Sequence, residues 1–191
     1  MKVVGAVRGK NYRKKKKSIL KEIISWTIYL AIVFTAAWLV THYVAEQTQV
    51  SGESMYPMLN DGDRLVVDKI SYHFTDPKRF DVVVFPFHYQ EDTYYIKRII
   101  GLPGETVRIS DGVIYINGRV LEENFGYEAI QNPGLASDLI TLGQDEYFLL
   151  GDNRNNSSDS REPSVGNVVR EDLIGRAWFR IWPLSKLGFL R

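Results

Sequence analysis

The stretch TYYIKRII, residues 93–100, is the segment from which the fold of this chain is first inferred. β-branched and aromatic residues dominate it, and this composition favours a β-strand. Because successive side chains of a strand point to opposite faces, Tyr95, Lys97 and Ile99 share one face. Lys97 therefore lies between apolar neighbours, and we expect it to be partly removed from water.

Other short segments have the same character, and Gly, Pro, Asn and Asp punctuate them. The stretch SDGVIYINGRVL predicts a hairpin pair closed at Asn117–Gly118. After the N-terminal segment no further helix-length apolar period is found. We therefore expect a mostly β domain over residues 45–191, with 106–145 as a smaller lobe. The further predicted strands are 64–70, 81–87, 106–110, 113–118, 146–152 and 176–183.

The N-terminal third contains IISWTIYLAIVFTAAWLV, residues 23–40, which are 18 residues without a charge. A bilayer core needs roughly 20 apolar residues in a helix, and His42 to Ala45 can extend the run. A buried core helix usually shows a polar face, and this stretch has only Ser and Thr. A cleaved signal peptide has a shorter apolar core of about 7–15 residues. The sequence thus predicts a retained transmembrane anchor over residues 23–44.

Charge is divided unevenly along the chain. Residues 1–22 carry nine Lys or Arg and one Glu, whereas residues 45–191 carry 15 basic and 22 acidic residues. Basic residues beside a span stay in the cytoplasm, so we expect a cytoplasmic tail, a single-pass anchor in the cell membrane and an extracytoplasmic domain. The lysine run also suits anionic lipids of the inner leaflet. The acidic outer region argues against nucleic acid as a partner.

The residue inventory excludes several kinds of site. With no cysteine, disulfides, thiolate metal sites and a cysteine nucleophile are ruled out. The three histidines, His42, His73 and His88, lack the close spacing of metal ligands, so we expect no metal. The sequence does not exclude a Ser-His-Asp triad, but no pattern indicates one.

A serine with an unusual setting occurs in VSGESMYPML, residues 50–59. Ser54 is either a turn serine or a nucleophile. Burial lowers the pKa of a lysine, and a neutral Lys97 amine can take the proton of a serine hydroxyl. The alternative is a strand lysine whose ammonium reaches solvent.

A third segment, GDNRNNSSDSRE at residues 151–162, follows an apolar strand. If it is extended, Ser157, Asp159 and Arg161 share one side. A hydroxyl there could orient a buried amine, and an Asp–Arg pair could brace it. Composition alone is equally typical of a polar loop.

These segments together resemble bacterial type I signal peptidases, of the small single-span kind found in Gram-positive bacteria. The basic start and anchor come first, followed by SGESMYPML, GDRLVVDK, DVVVF, KRIIGLPGE and GDNRNNSSDSR in the order of that family's boxes. The resemblance covers nearly the whole chain. It implies an antiparallel β-sheet catalytic domain with a smaller inserted lobe, and removal of signal peptides from secreted preproteins.

Carried over by position, the resemblance implies a role for each matching residue. Ser54 takes the place of the nucleophile and Lys97 that of the general base. Ser157 takes the place of a serine that hydrogen-bonds the lysine amine, and Asp159 and Arg161 that of a structural ion pair. The family uses no metal or cofactor and accepts small side chains at the −1 and −3 positions. The positions of pocket-lining residues fall on Val50, Met55, Leu59, Tyr95 and Ile96.

Two positions depart from the family pattern. Some members carry a serine that helps hold the oxyanion where this chain has Gly52, so the oxyanion hole would rest on the Ser54 N–H. Members often carry Asp where Asn155 stands.

Two other functions remain open at this level. One is a membrane-anchored β module that binds extracytoplasmic partners through strand edges. The other is a different Ser-Lys peptidase, such as a self-cleaving repressor, against which the anchor argues.

Overall fold

The computed structural model describes residues 8–39 and 45–190, and each of these two ranges belongs to a compact unit of its own. The first unit contains helix α1 (Arg8–Leu39). Within it, Ile19–Trp38 is long and apolar enough to cross a membrane, by length and composition. The start of the basic tail, residues 1–7, and the end of the predicted span, residues 40–44 with His42, lie outside the described residues.

The second unit is built from strands and short 3₁₀ turns. Its strands within residues 45–190 are β1 (Ala45–Gln49), β2 (Arg64–Asp68), β3 (Val82–Pro86), β4 (Tyr94–Gly101), β5 (Thr106–Ser110), β6 (Val113–Ile116), β7 (Arg119–Val120), β8 (Ile140–Thr141), β9 (Glu146–Leu150), β10 (Val168–Val169), β11 (Gly175–Trp182) and β12 (Gly188–Phe189).

These strands form two antiparallel sheets. Over the described residues, the larger sheet runs β1-β2-β11-β3-β4-β9-β10, with β12 on β11, and the smaller runs β7-β6-β5-β8. The smaller sheet lies within the 106–145 segment. The predicted mostly β, antiparallel fold is confirmed, and each predicted strand is present to within about two residues at its ends.

Two hairpins of the smaller sheet follow from local turn chemistry. Asn117 and Gly118 both have positive φ, 51° and 73°, as a two-residue turn that matches the twist of its strands requires. They join β6 to β7, which confirms the predicted hairpin. Asp111 and Gly112, with φ of 51° and 78°, join β5 to β6 in the same way.

Strand β4 connects the apolar clusters of this unit. Ile99 packs in a cluster with Val83 and Leu149, whereas Ile100 packs with residues of the smaller sheet. Ile96 packs against a third cluster around Met55. Burial of each such side chain contributes about 1.5–3 kcal/mol to stability. The strand that carries Lys97 is therefore anchored along its length.

Candidate active site

The loop that presents Ser54 begins directly after β1. The Val50 N–H donates to Asp63 O at 2.8 Å, and the Gly62 N–H donates to Val50 O at 2.9 Å. These bonds tie the start of the loop to the turn before β2. Met55 and Leu59 are buried beneath it, and the Leu59 N–H donates to Met55 O. Ser54 is held half-buried between these two anchored ends.

The Ser54 hydroxyl meets the side chain of Lys97. The distance from Lys97 Nζ to Ser54 Oγ is 2.8 Å, and Nζ also donates to Ile96 O at 3.0 Å. The Tyr95 ring lies beside the amine, its centroid 4.9 Å from Nζ. Lys97 is only 3% exposed. Its amine does not reach solvent, which was the alternative left open by the sequence.

The surroundings of Lys97 change its acidity. Burial removes water from the ammonium and lowers its pKa from 10.5 to about 8, although the carboxylates of Asp159, Glu162 and Asp152 act in the opposite direction. A useful fraction of the amine is then neutral near physiological pH. A neutral amine within hydrogen-bond reach of a hydroxyl can act as its general base.

Asp159 and Arg161 form a buried ion pair. Arg161 Nε and Nη2 donate to the two carboxylate oxygens of Asp159 at 2.8 and 2.9 Å. The remaining guanidinium protons reach Arg154 O and Asn132 O. Asp159 also accepts the Gly151 N–H at 3.1 Å. The pair therefore fixes the backbone of the 151–161 segment.

Ser157 lies close to Ser54 across Gly151. A Cβ at Gly151 would stand 2.2 Å from Ser157 Oγ and 2.5 Å from Ser54 O, so only glycine fits between them. Ser157 Oγ is buried and has no hydrogen-bond partner among the described residues. The bond to the Lys97 amine that the resemblance implies is therefore not formed here; among the described residues that amine bonds to Ser54 Oγ and Ile96 O.

A second buried pair lies on the other face of β4 and was not predicted. Arg98 Nε and Nη2 donate to Asp152 at 2.8 and 2.7 Å, and the guanidinium lies 3.8 Å from the centre of the Phe125 ring. Both charged side chains are fully buried. The alternation in TYYIKRII placed Arg98 opposite Lys97, but it could not identify the partner. The pair joins β4 to the segment that contains Asn153.

A cavity of about 290 Å³ opens beside the Ser54 hydroxyl. Val50, Met55, Tyr95 and Ile96 line it together with Ser54 and Lys97. Leu59 does not line the cavity; it is fully buried in the cluster around Met55. Four of the five expected pocket residues thus surround Ser54 and Lys97, and the fifth packs beneath them.

One wall of this cavity is a free strand edge. Over the described strands, residues 94–97 of β4 pair only with β3, because β9 pairs with residues 98–101. The opposite wall is the segment 48–55, which comprises the end of β1, the outermost strand of the sheet, and the loop after it. An extended peptide could add to such an edge by backbone hydrogen bonds.

The two departures from the family pattern have local explanations. Gly52 has φ +87°, a backbone conformation that disfavours a side chain, and its N–H donates to Asp61 Oδ1 at 2.8 Å. Asn155 donates its amide to Glu128 Oε2 at 3.1 Å and to Ala129 O at 3.0 Å. A carboxylate at position 155 would instead repel Glu128.

No group of three or more His, Asp or Glu side chains in residues 8–39 and 45–190 is placed to hold a metal ion.

Comparison with known proteins places this geometry in context. The family described as "Signal peptidase, peptidase S26" matches residues 23–182. The chain is 43% identical to signal peptidase I of Leptolyngbya laminosa, over 86% of this chain and 81% of that protein. It is 43% identical to the probable signal peptidase I-2 of Synechocystis, over 78% of this chain and 68% of that protein.

Proteins with a lower sequence identity to this chain come from other bacteria. Signal peptidase IB of Staphylococcus aureus strain MRSA252 is 31% identical, over 88% of this chain and 94% of that protein. A crystal structure of a signal peptidase I from Enterococcus faecalis covers 53% of this chain and 97% of its own, at 32% identity and a TM-score of 0.43.

Proposed function

The chain belongs to the signal peptidase family, peptidase S26, and from that premise we propose that Ser54 and Lys97 are its catalytic dyad. It is a signal peptidase I, a serine peptidase that removes N-terminal signal peptides from preproteins. The observation that carries the dyad is the 2.8 Å contact between Ser54 Oγ and the buried Lys97 amine.

Acylation follows from this contact. Neutral Lys97 takes the Ser54 proton as Oγ attacks the carbonyl carbon of the residue before the cleavage site. The resulting tetrahedral intermediate places its negative charge on the former carbonyl oxygen. The bond to nitrogen then breaks, and the Lys97 ammonium supplies the proton that the leaving amine requires. The signal peptide remains as an ester on Ser54.

Deacylation uses Ser54 and Lys97 again, with water as the attacking group. Lys97, again neutral, takes a proton from a water molecule that attacks the ester carbonyl. Ser54 Oγ leaves with the proton that the lysine returns, which releases the signal peptide. The Asp159–Arg161 pair supports the dyad by fixing Gly151 through its N–H, and Ser157 supports it by packing against Gly151, next to Ser54 O.

Substrate binding uses the cavity and the free edge of β4. The signal peptide would lie extended along residues 94–97 and present alternate side chains, −1 and −3, to the cavity. Val50, Met55, Tyr95 and Ile96 line the cavity beside the hydroxyl, and the resemblance to the family implies that they accept small side chains at −1 and −3. Leu59 acts from beneath by supporting Met55.

The N-terminal unit places the enzyme at the membrane. The anchor would cross the lipid bilayer once, over residues 23–44, with the basic tail 1–22 in the cytoplasm and the domain 45–191 outside. The apolar segment Ile19–Trp38 and the nine basic residues before position 23 support this arrangement.

The dyad is tested with purified full-length protein and a preprotein. Ser54→Ala and Lys97→Ala should each abolish cleavage while the circular dichroism spectrum stays unchanged. Lys78→Ala, which removes an exposed lysine far from the dyad in sequence, serves as the matched control and should cleave normally. Normal cleavage by either dyad variant would contradict the assignment, and an inactive wild type would favour a non-catalytic binding module.

A further inference from the structure

We propose that Asn153 is a positioning residue that holds the Ser54 N–H in the direction required of an oxyanion donor. The inference rests on the proposed role of Ser54 as nucleophile. With Gly52 two residues before it, no side chain at that position can donate to the oxyanion. The orientation of the Ser54 peptide group therefore matters more than in relatives with a hydroxyl there.

The peptide group between Glu53 and Ser54 is held through its oxygen. Asn153 Nδ2 donates to Glu53 O at 3.1 Å, and the Tyr56 N–H donates to the same oxygen at 3.0 Å. This peptide bond is trans. Because a trans peptide is planar and its N–H points opposite to its C=O, fixing the oxygen also fixes the N–H.

Asn153 holds the next peptide group as well. Its backbone N–H donates to Ser54 O at 3.0 Å. A single residue thus restrains the two carbonyl groups on either side of the Ser54 Cα. On the other side of the loop, the Gly52 N–H is held by Asp61. Rotation of the Glu53–Ser54 peptide would have to break the Asn153 side-chain bond.

The Ser54 N–H itself is available for substrate. It donates to no acceptor among the described residues. A donor that is fixed before the reaction stabilises developing charge without reorganisation, and this is the property of an effective oxyanion hole. The amide of Asn153 supplies that fixation from outside the hole, without touching the substrate.

The test compares Asn153→Ala with Asn153→Gln, which keeps an amide donor, in the full-length enzyme. Gln144→Ala is the control, since Gln144 carries an exposed amide in the turn before β9, outside the segments that contact Ser54. We expect Asn153→Ala to lower kcat by about tenfold with little change in KM, a fraction of the 10²–10³ lost with a whole oxyanion donor. Asn153→Gln should recover part of that loss, and the melting temperature should hardly change.

A peptide aldehyde separates positioning from folding. Ser54 Oγ adds to the aldehyde carbon, the carbonyl oxygen becomes an oxyanion, and Lys97 takes the hydroxyl proton. Asn153→Ala should weaken this adduct by the same factor as kcat, while a free signal peptide ending in alanine should bind as before. An unchanged kcat in Asn153→Ala would overturn the inference. So would an equal loss of affinity for the aldehyde and for the free signal peptide, together with a lower melting temperature. Residual activity in Ser54→Ala would instead contradict the dyad itself.

Discussion

At the level of single residues, the environment of Lys97 governs both activity and stability. Its amine is 3% exposed and lies 2.8 Å from the Ser54 hydroxyl. Removal from water favours the neutral amine, which is the form that the proposed mechanism needs. The same removal from water opposes folding whenever the lysine carries a proton. Both the rate of cleavage and the free energy of unfolding should therefore depend on pH.

The rate of cleavage should rise with pH through the pKa of Lys97. Burial lowers that pKa to about 8, and only the neutral amine can accept the Ser54 proton. We therefore expect kcat/KM for a preprotein to increase tenfold per pH unit well below pH 8 and to level off above it. A steady-state profile from pH 6 to 10 measures this. A midpoint near 10.5 would show that the amine is not desolvated in the free enzyme.

Replacement of Lys97 by Met should stabilise the fold at neutral pH. Between pH 8 and 10.5 the folded state binds fewer protons than the unfolded state, so the wild type gains stability as pH rises through this window. At pH 7 the full cost of burying the ammonium is present, on the order of 3 kcal/mol. Lys97→Met avoids that cost and keeps the apolar volume.

Urea unfolding at pH 7 and pH 10 measures this difference. The advantage of Lys97→Met should be largest at pH 7 and should shrink at pH 10. A variant that is less stable than the wild type at pH 7 would contradict the cost of burying the Lys97 ammonium.

At the level of secondary-structure elements, the segment 121–132 ties the smaller lobe to the 151–161 segment. Glu123 accepts from Arg154 at 2.8 Å, and the Tyr127 N–H donates to Asp152 O at 2.9 Å. Asn155 binds Glu128 and Ala129 from the other side. Although it has no regular secondary structure, this segment holds the backbone that contacts Ser54.

Asn155→Asp should destabilise this connection. The new carboxylate would lose the donor to Glu128 and face it as a like charge, at a cost of about 1 kcal/mol for a partly solvated pair. Glu128→Gln in the same chain should recover most of the loss, since the glutamine amide can donate to the aspartate. A double-mutant cycle of unfolding free energies measures the coupling. A coupling near zero would mean that Asn155 acts only through its bonds to Ala129 O and to the Gln131 N–H, which donates to Asn155 Oδ1 at 3.0 Å.

The sequence predicted the long strands because their residues show the composition and alternation of strands. It missed β1, with the polar sequence AEQTQ, and β8, β10 and β12, which have two residues each. Such strands form because a neighbouring strand offers hydrogen bonds.

Contacts between distant parts of the chain limit the prediction of the site in the same way. Spacing in GDNRNNSSDSR suggested that Asp159 and Arg161 could pair, but Asp152 bonds to Arg98 across 54 positions. Asn153 could not be recognised as a partner of Glu53.

At the level of the whole molecule, the anchor is expected to act by proximity. With the proposed anchor over residues 23–44, the enzyme and a preprotein held by its own signal peptide would share one membrane plane. Their encounter is then confined to two dimensions, which raises the effective concentration of the cleavage site. The chemistry of the dyad does not depend on this confinement, because Ser54, Lys97 and the lining of the cavity all belong to residues 45–190.

Removing the anchor should therefore slow the cleavage of a preprotein in a membrane but not the cleavage of a soluble peptide. A chain lacking residues 1–44 should cleave a preprotein in vesicles at least about tenfold more slowly than the full-length enzyme. With a short soluble peptide that spans the cleavage site, the two proteins should have equal kcat/KM. Replacing residues 23–44 by an unrelated apolar helix should restore the rate on vesicles. If that replacement fails while the soluble peptide is still cleaved, the anchor contributes through its own sequence as well as through proximity.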